Sequence, residues 1–247
     1  MPIEDLQIPT ADGQADAFAA FPDDGERHPA VLMYPDGFGI RPVLRDMALE
    51  LAGHGYYVLV PNMFYRHGPT PLFDLPAHIG AEDRPGLMAQ MMPLIQAHTP
   101  ERTLRDADAY LAFLADRPEV AAGPIAVTGY CFGGLLATRT AAAHPDRVAA
   151  LAAFHAPVAA DGPEAFDRIT AAIHFGHAAS DLSPEALRDL NRELDAAKLD
   201  YTSEVYHETI HGFTMADTDA FDPEGLRRHW ERLLPLLERA LPGSQAG

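Results

Sequence analysis

Cysteine is almost absent: Cys131 is the only one in 247 residues, so no internal disulfide holds the chain and a secreted, oxidising setting has no support. Basic side chains are scarce as well. There are 18 Lys and Arg against 36 Asp and Glu, and the formal net charge of −18 repels phosphate backbones and anionic lipid headgroups. Neither nucleic acid nor a membrane is an expected partner. No apolar run approaches the ~20 residues of a membrane span, and no fixed-period repeat is visible. The opening MPIEDLQIPT lacks the basic and apolar regions of a leader, so the chain reads as cytoplasmic. Apolar residues are plentiful at 47%, with 22% charged, enough for the core of one globular domain over 1–247.

Short apolar runs alternate with helical patterns. Ala30 to Pro35 and Tyr56 to Val60 read as strands buried on both faces, and Leu44, Met47, Ala48 and Leu51 recur at helical spacing between them. From 61 to 100 seven prolines interrupt regular structure, and this excursion over the surface has room for a short Met-rich helix at Gly86 to His98. Helix resumes at Glu101 to Arg117. Further strands are expected at Pro124 to Thr128, Val148 to Phe154, Ala171 to Phe175 and Thr202 to Tyr206, with helices at Pro184 to Lys198 and Pro223 to Leu241. Such alternation predicts an α/β fold, a mostly parallel sheet with helices on both faces and active groups at the carboxyl ends of its strands.

The third of these strands runs into Gly129-Tyr130-Cys131-Phe132-Gly133-Gly134 and then an Ala-rich helix. Gly-x-Cys-x-Gly has the spacing of a nucleophile elbow, with sulfur where oxygen usually stands. A nucleophile at the tip of so sharp a turn takes an unfavourable backbone conformation, and the residues two before and two after it are crowded together, which glycine relieves. The turn also sets Cys131 at a helix N-terminus, whose unpaired N–H groups favour a thiolate and a developing oxyanion. The N–H of Phe132 becomes one oxyanion donor. The second is expected from the loop after the first apolar strand, near Gly37 or Phe38.

An elbow of this kind orders its partners as nucleophile, acid, histidine. Asp181 falls in the loop after the strand AAIHF, just before a helix capped by Ser183, where an orienting carboxylate belongs. His211 falls in the loop after TSEVY and is preferred to His207, at the strand end, and to His177, which precedes the acid. His211 then takes the thiol proton or holds the thiolate, and Asp181 orients the imidazole. Asp36 lies close enough along the chain to the proposed oxyanion loop to modulate the thiol.

Together the Gly-Tyr-Cys-Phe-Gly-Gly elbow, the Asp181 loop and His211-Gly212-Phe213 make the chain resemble the dienelactone hydrolase family of the α/β-hydrolase fold, over nearly its whole length. The resemblance implies a hydrolase that needs no cofactor and no metal, acts on a small-molecule ester or lactone as a monomer or homodimer, and uses Cys131, Asp181 and His211. It also implies an acidic residue near the resting thiol, where this chain has Asp36 in place of the family's glutamate. Where the family has a carboxylate-binding arginine, this chain has Met215. Arg84 or Arg66 is the candidate replacement, and Tyr65, Phe64, Met88, Met91 and Met92 are candidates for an apolar acyl pocket or for core.

Two other readings compete. His207-Glu208-Thr209-Ile210-His211 matches H-E-x-x-H, the signature of a zinc hydrolase, but that motif works only on a helix and this pentapeptide follows a strand and meets Gly212. A thiol sensor on the same fold would use Cys131 alone, without Asp181, His211 and an oxyanion pair.

Overall fold

A computed structural model describes residues 1–241 of the protein; the last six residues of the 1–247 span lie outside the described residues. One eight-stranded sheet runs in the order β1-β2-β4-β3-β5-β6-β7-β8. The strands are β1 Ile3–Thr10, β2 Gly13–Ala20, β3 Ala30–Tyr34, β4 Tyr57–Pro61, β5 Ile125–Tyr130, β6 Val148–Phe154, β7 Ala172–Ala178 and β8 Tyr201–Tyr206. From β4 to β8 all neighbours are parallel, while β1 and β2 form an antiparallel hairpin whose second strand pairs antiparallel with β4. Every residue of β3, β4 and β5 is buried, as the continuous apolar runs require.

The hairpin at 3–20 is the one large element that hydrophobic patterning did not announce. In β1 only Ile8 is buried, so its alternation is faint.

Among the described residues six helices cover the sheet: α1 Pro42–Gly53, α2 Arg84–Ala97, α3 Pro100–Asp116, α4 Phe132–Ala143, α5 Pro184–Ala196 and α6 Pro223–Ala240. One core gathers Tyr110, Leu111 and Leu114 of α3, Leu135 and Leu136 of α4 and Leu190 and Leu194 of α5. The other takes Leu44, Met47 and Leu51 of α1 and Leu233, Leu236 and Leu237 of α6, so the helices lie on both faces. None of the described helices is long and apolar enough to cross a membrane.

Two boundaries shift with consequence. β5 extends past Thr128 to Tyr130, delivering the chain directly to Cys131, and β7 extends past Phe175 to Ala178, delivering it to Asp181. Between β4 and α3 the proline-rich excursion holds a single 3-10 turn at Tyr65–His67 and then α2, which buries only Leu87 and Met91. Strand order reverses around β3, with β4 to one side and β5 to the other, so a crevice opens at the carboxyl ends there.

Candidate active site

Cys131 has φ +53° and ψ −123° at the start of α4, a conformation that side chains seldom adopt. It persists because its surroundings fix it: the Cys131 N–H donates to Phe154 O at 3.0 Å, and its own carbonyl accepts from Gly134 N at 3.1 Å. The glycines are a steric necessity. A Cβ on Gly129 would stand 2.2 Å from Gly133 O, and one on Gly133 would stand 2.1 Å from Pro35 O. Gly134 permits a third close approach, since its Cβ would lie 2.4 Å from the Ala156 Cβ.

After β7 the chain turns with Asp181 N–H on Ala178 O at 3.0 Å, and the Asp181 Oδ2 accepts from Ala178 N at 3.0 Å. This double tie points Oδ1 at His211 Nδ1, 2.8 Å away. His211 is held from behind by its own N–H donating to Ser180 Oγ at 3.0 Å. Burial works to lower the His211 pKa, but the hydrogen bond and charge of Asp181, with Cys131 beside it, outweigh it, and the group is pushed up to about 10. For Asp181 burial works to raise the carboxyl, and the bond to His211 overrides it, so the net direction is down.

His155, at the end of β6, completes the setting and was not singled out by spacing. Its backbone is also in the left-handed region, φ +39°, its Nε2 lies 2.8 Å from Thr214 Oγ1, and its ring meets that of His211 edge-on with centroids 5.1 Å apart. Complete burial lowers its pKa to about 3, so its ring favours the neutral form. Its position directly after a parallel strand was the only signal available.

Cys131, His155, Asp181 and His211 line a cavity of about 390 Å³, together with Gly37, Phe38 and Phe132 around the elbow. The rest of its wall is largely apolar: Met88, Met91, Met92 and Ile95 from α2, Leu182, and Met215. Phe38 N–H is turned to Asp36 Oδ1 at 3.2 Å, which leaves Gly37 as the candidate second oxyanion donor of this loop beside Phe132 at the start of α4.

Other expected residues lie elsewhere or serve otherwise. Asp36 reaches the cavity wall, yet both its oxygens are taken by Arg41, Oδ1 by Nη1 at 2.5 Å and Oδ2 by Nη2 at 3.0 Å, so its charge is matched by a guanidinium and not by the thiol. Tyr65 and Arg66 are not in the cavity. Tyr65 is core, bonded to Thr10 and Asp106, and Arg66 bridges Asp12 and Asp106 with bonds of 2.7 to 2.9 Å. Phe64 is core too, stacked on Phe132 at 6.2 Å. Arg84 does line the cavity, its Nη2 donating to His211 O at 3.4 Å, and no carboxylate among the described residues pairs with it. Met215 is fully buried in the wall.

The H-E-x-x-H pentapeptide is a turn. Glu208 has φ +64°, Thr209 N–H reaches back to Tyr206 O, and His207 is exposed while His211 faces Asp181, so the two histidines do not share a helix face. The excursion is fastened beside them. Ile79 N–H donates to Asp217 O at 2.8 Å, Asp219 N–H to Ile79 O at 3.2 Å, and His78 pairs with Asp219 at 2.8 Å.

The sheet order and the strand, elbow and helix at 125–143 define an α/β-hydrolase fold. The family model of the dienelactone hydrolase family matches residues 15–241, and the chain belongs to that family. It is 26% identical over 219 residues to a carboxymethylenebutenolidase of Pseudomonas sp. (strain P51), covering 87% of each chain. It is 27% identical over 224 residues to a carboxymethylenebutenolidase of Rhodococcus opacus, covering 85% of this chain and 81% of the relative. Among solved structures, "m3DLH" superposes with a TM-score of 0.80 at 24% identity, covering 97% of this chain and 98% of that one. A dienelactone hydrolase-like promiscuous phosphotriesterase from metagenomic libraries gives 0.79 at 22%, covering 97% and 99%.

Proposed function

We propose that the protein hydrolyses esters or lactones through a thiol nucleophile, with Cys131 attacking, His211 moving the proton and Asp181 orienting His211. The observation that carries this reading is the strained Cys131 at an elbow, lining one cavity with His211, whose Nδ1 lies 2.8 Å from Asp181 Oδ1. The sulfur attacks the carbonyl carbon, and the C=O electron pair moves to oxygen, where the N–H groups of Phe132 and Gly37 receive it. As the tetrahedral species collapses, the C–O bond to the leaving alcohol breaks and that oxygen takes the proton from His211, leaving an acyl-thioester. Water then attacks the thioester, gives its proton to His211, and the thiolate departs. In a lactone the alcohol stays tethered to the acid.

The methionine-rich wall supports a substrate with an apolar body, and Arg84 supports one that carries a negative group near the rim. The two curated relatives are named as carboxymethylenebutenolidases, which agrees with an unsaturated lactone acid. All the proposed groups come from one chain, so a monomer suffices. A reducing, cytoplasmic setting suits an unprotected thiol.

Hydrolysis of p-nitrophenyl acetate by the wild type and Cys131→Ala, each with and without a strong chelator, tests the reading. Chelator-insensitive turnover lost in Cys131→Ala is expected. Turnover that survives the substitution and disappears with chelator refutes the thiol.

A further inference from the structure

Arg41 sits between two of the loops that form the cavity, and all of its guanidinium nitrogens are engaged. On one side Nη1 and Nη2 bind the two oxygens of Asp36, and Nη1 also donates to Gly39 O at 3.2 Å. On the other side Nε and Nη2 bind the two oxygens of Asp217 at 2.6 and 3.2 Å. The group is nearly closed to solvent, with Arg41 7% and Asp36 5% exposed. A buried cation shared by two carboxylates is costly to assemble, so its presence at a catalytic crevice asks for a reason beyond stability.

The loops on its two sides supply that reason. Asp36 begins a turn in which its own Oδ1 accepts Phe38 N–H and its carbonyl accepts Gly39 N–H at 2.9 Å, and Gly37, the candidate oxyanion donor, lies inside that turn. Asp217 belongs to the segment that also carries His211, Met215 and Thr218 into the cavity. The two aspartates are 181 residues apart in sequence (217 less 36), and Arg41 joins them through one rigid fork. Only a planar guanidinium offers donors in that arrangement; a lysine ammonium reaches one carboxylate well and not two in a plane.

We propose that Arg41 is a positioning residue, fixing the oxyanion loop at 36–39 against the histidine segment at 211–218 so that Gly37 N–H faces the carbonyl attacked by Cys131. This rests on the thiol hydrolase reading above. Arg41 touches neither substrate nor the reacting atoms; it acts through Asp36 and Asp217.

The test measures kcat and KM for p-nitrophenyl acetate, the rate of Cys131 alkylation by iodoacetamide, and Tm, in wild type, Arg41→Lys, Arg41→Met, Asp217→Asn and Cys131→Ala. Alkylation displaces iodide at a saturated carbon and forms no oxyanion, so it reads the Cys131–His211 pair and is blind to the oxyanion loop. Arg41→Lys and Arg41→Met are expected to lower kcat by about 10- to 100-fold, the scale of an ångström-sized misplacement, with KM within about threefold and alkylation within about twofold of wild type. Asp217→Asn, which keeps the Asp36 half, is expected to fall between them and wild type. If Arg41→Met does not fold, Arg41→Lys and Asp217→Asn decide the matter. The proposal is overturned if these folded variants keep kcat within about threefold, or if alkylation falls in step with kcat, since that reports a general loosening. Hydrolysis that survives Cys131→Ala overturns the thiol reading itself; that failure is distinct because Cys131→Ala is inactive when only the Arg41 proposal fails.

Discussion

Acid should unfold this protein sharply, and the magnitude follows from its buried histidines. Burial pushes His155 and His174 down to about 3 and His98 and His177 down to about 4, and it lowers His229 well below its ordinary value. Each is neutral in the fold and takes up a proton on unfolding below about pH 6.5. A group whose folded pKa is depressed in this way stabilises fully above the unfolded pKa and loses that contribution as pH falls. For His98, His155, His174 and His177 the loss at pH 5 depends almost entirely on the unfolded value, because pH 5 is still above the folded ones. It comes to about 2 kcal/mol for each, or about 8 kcal/mol for the four, and His229 acts in the same direction. His211 runs the opposite way. Raised to about 10, its contribution is complete below the unfolded pKa and is lost as pH climbs through 10, and because the side chain is 40% exposed, solvent screening reduces the part it returns between pH 8 and pH 5. The histidine loss of about 8 kcal/mol, offset in part by His211, compares with the 5–15 kcal/mol that stabilises a typical domain. Urea midpoints at pH 8, 7, 6 and 5 at fixed ionic strength should therefore fall steeply below pH 6.5, with uptake of about four protons at pH 5. A change of less than about 2 kcal/mol between pH 8 and pH 5 refutes the reasoning.

Gly133→Ala should abolish soluble expression or cost at least about 3 kcal/mol, measured by urea unfolding, because the new methyl falls on the Pro35 carbonyl with backbone on both sides. In Asp181→Asn the His211 imidazole loses its charged partner and should titrate lower than about 10, which NMR of the ring protons reads directly; an unchanged titration contradicts the assigned pair. Arg66→Met should destabilise by about 3 kcal/mol through the unpaired, buried Asp106 while leaving kcat per folded molecule unchanged, since neither residue lines the cavity.

The fold was readable where segments bury both faces. Apolar runs such as Ala30 to Tyr34 and Val148 to Phe154 have no alternative environment, and the elbow was readable because its glycines answer a local steric demand that leaves a mark within six residues. Asp181 and His211 followed from chain order, each at the end of a strand. The misses share a cause of the opposite kind. Arg66 and Tyr65 read as cavity candidates because they share the proline-rich excursion with Arg84 and the α2 methionines, which do line it, but Asp106, 40 residues on, claims Arg66 for a buried ion pair. Asp36 was expected near the thiol, and Arg41 intercepts it with the help of Asp217, a partner no local pattern names. His155 carries no motif at all. The hairpin at 3–20 was hidden because β1 is an edge strand with one buried residue, so its composition is that of a solvated loop.

The bridge from Ile79 to Asp217 and Asp219 joins the approach to the cavity to the machinery inside it. Ile79 and residues 217–219 are therefore tied backbone to backbone, and a displacement of the first is passed to the segment that carries His211. On the proposed function, substitutions at 78–84 made to admit bulkier molecules are expected to change turnover of small substrates as well, and kcat for p-nitrophenyl acetate reads that coupling.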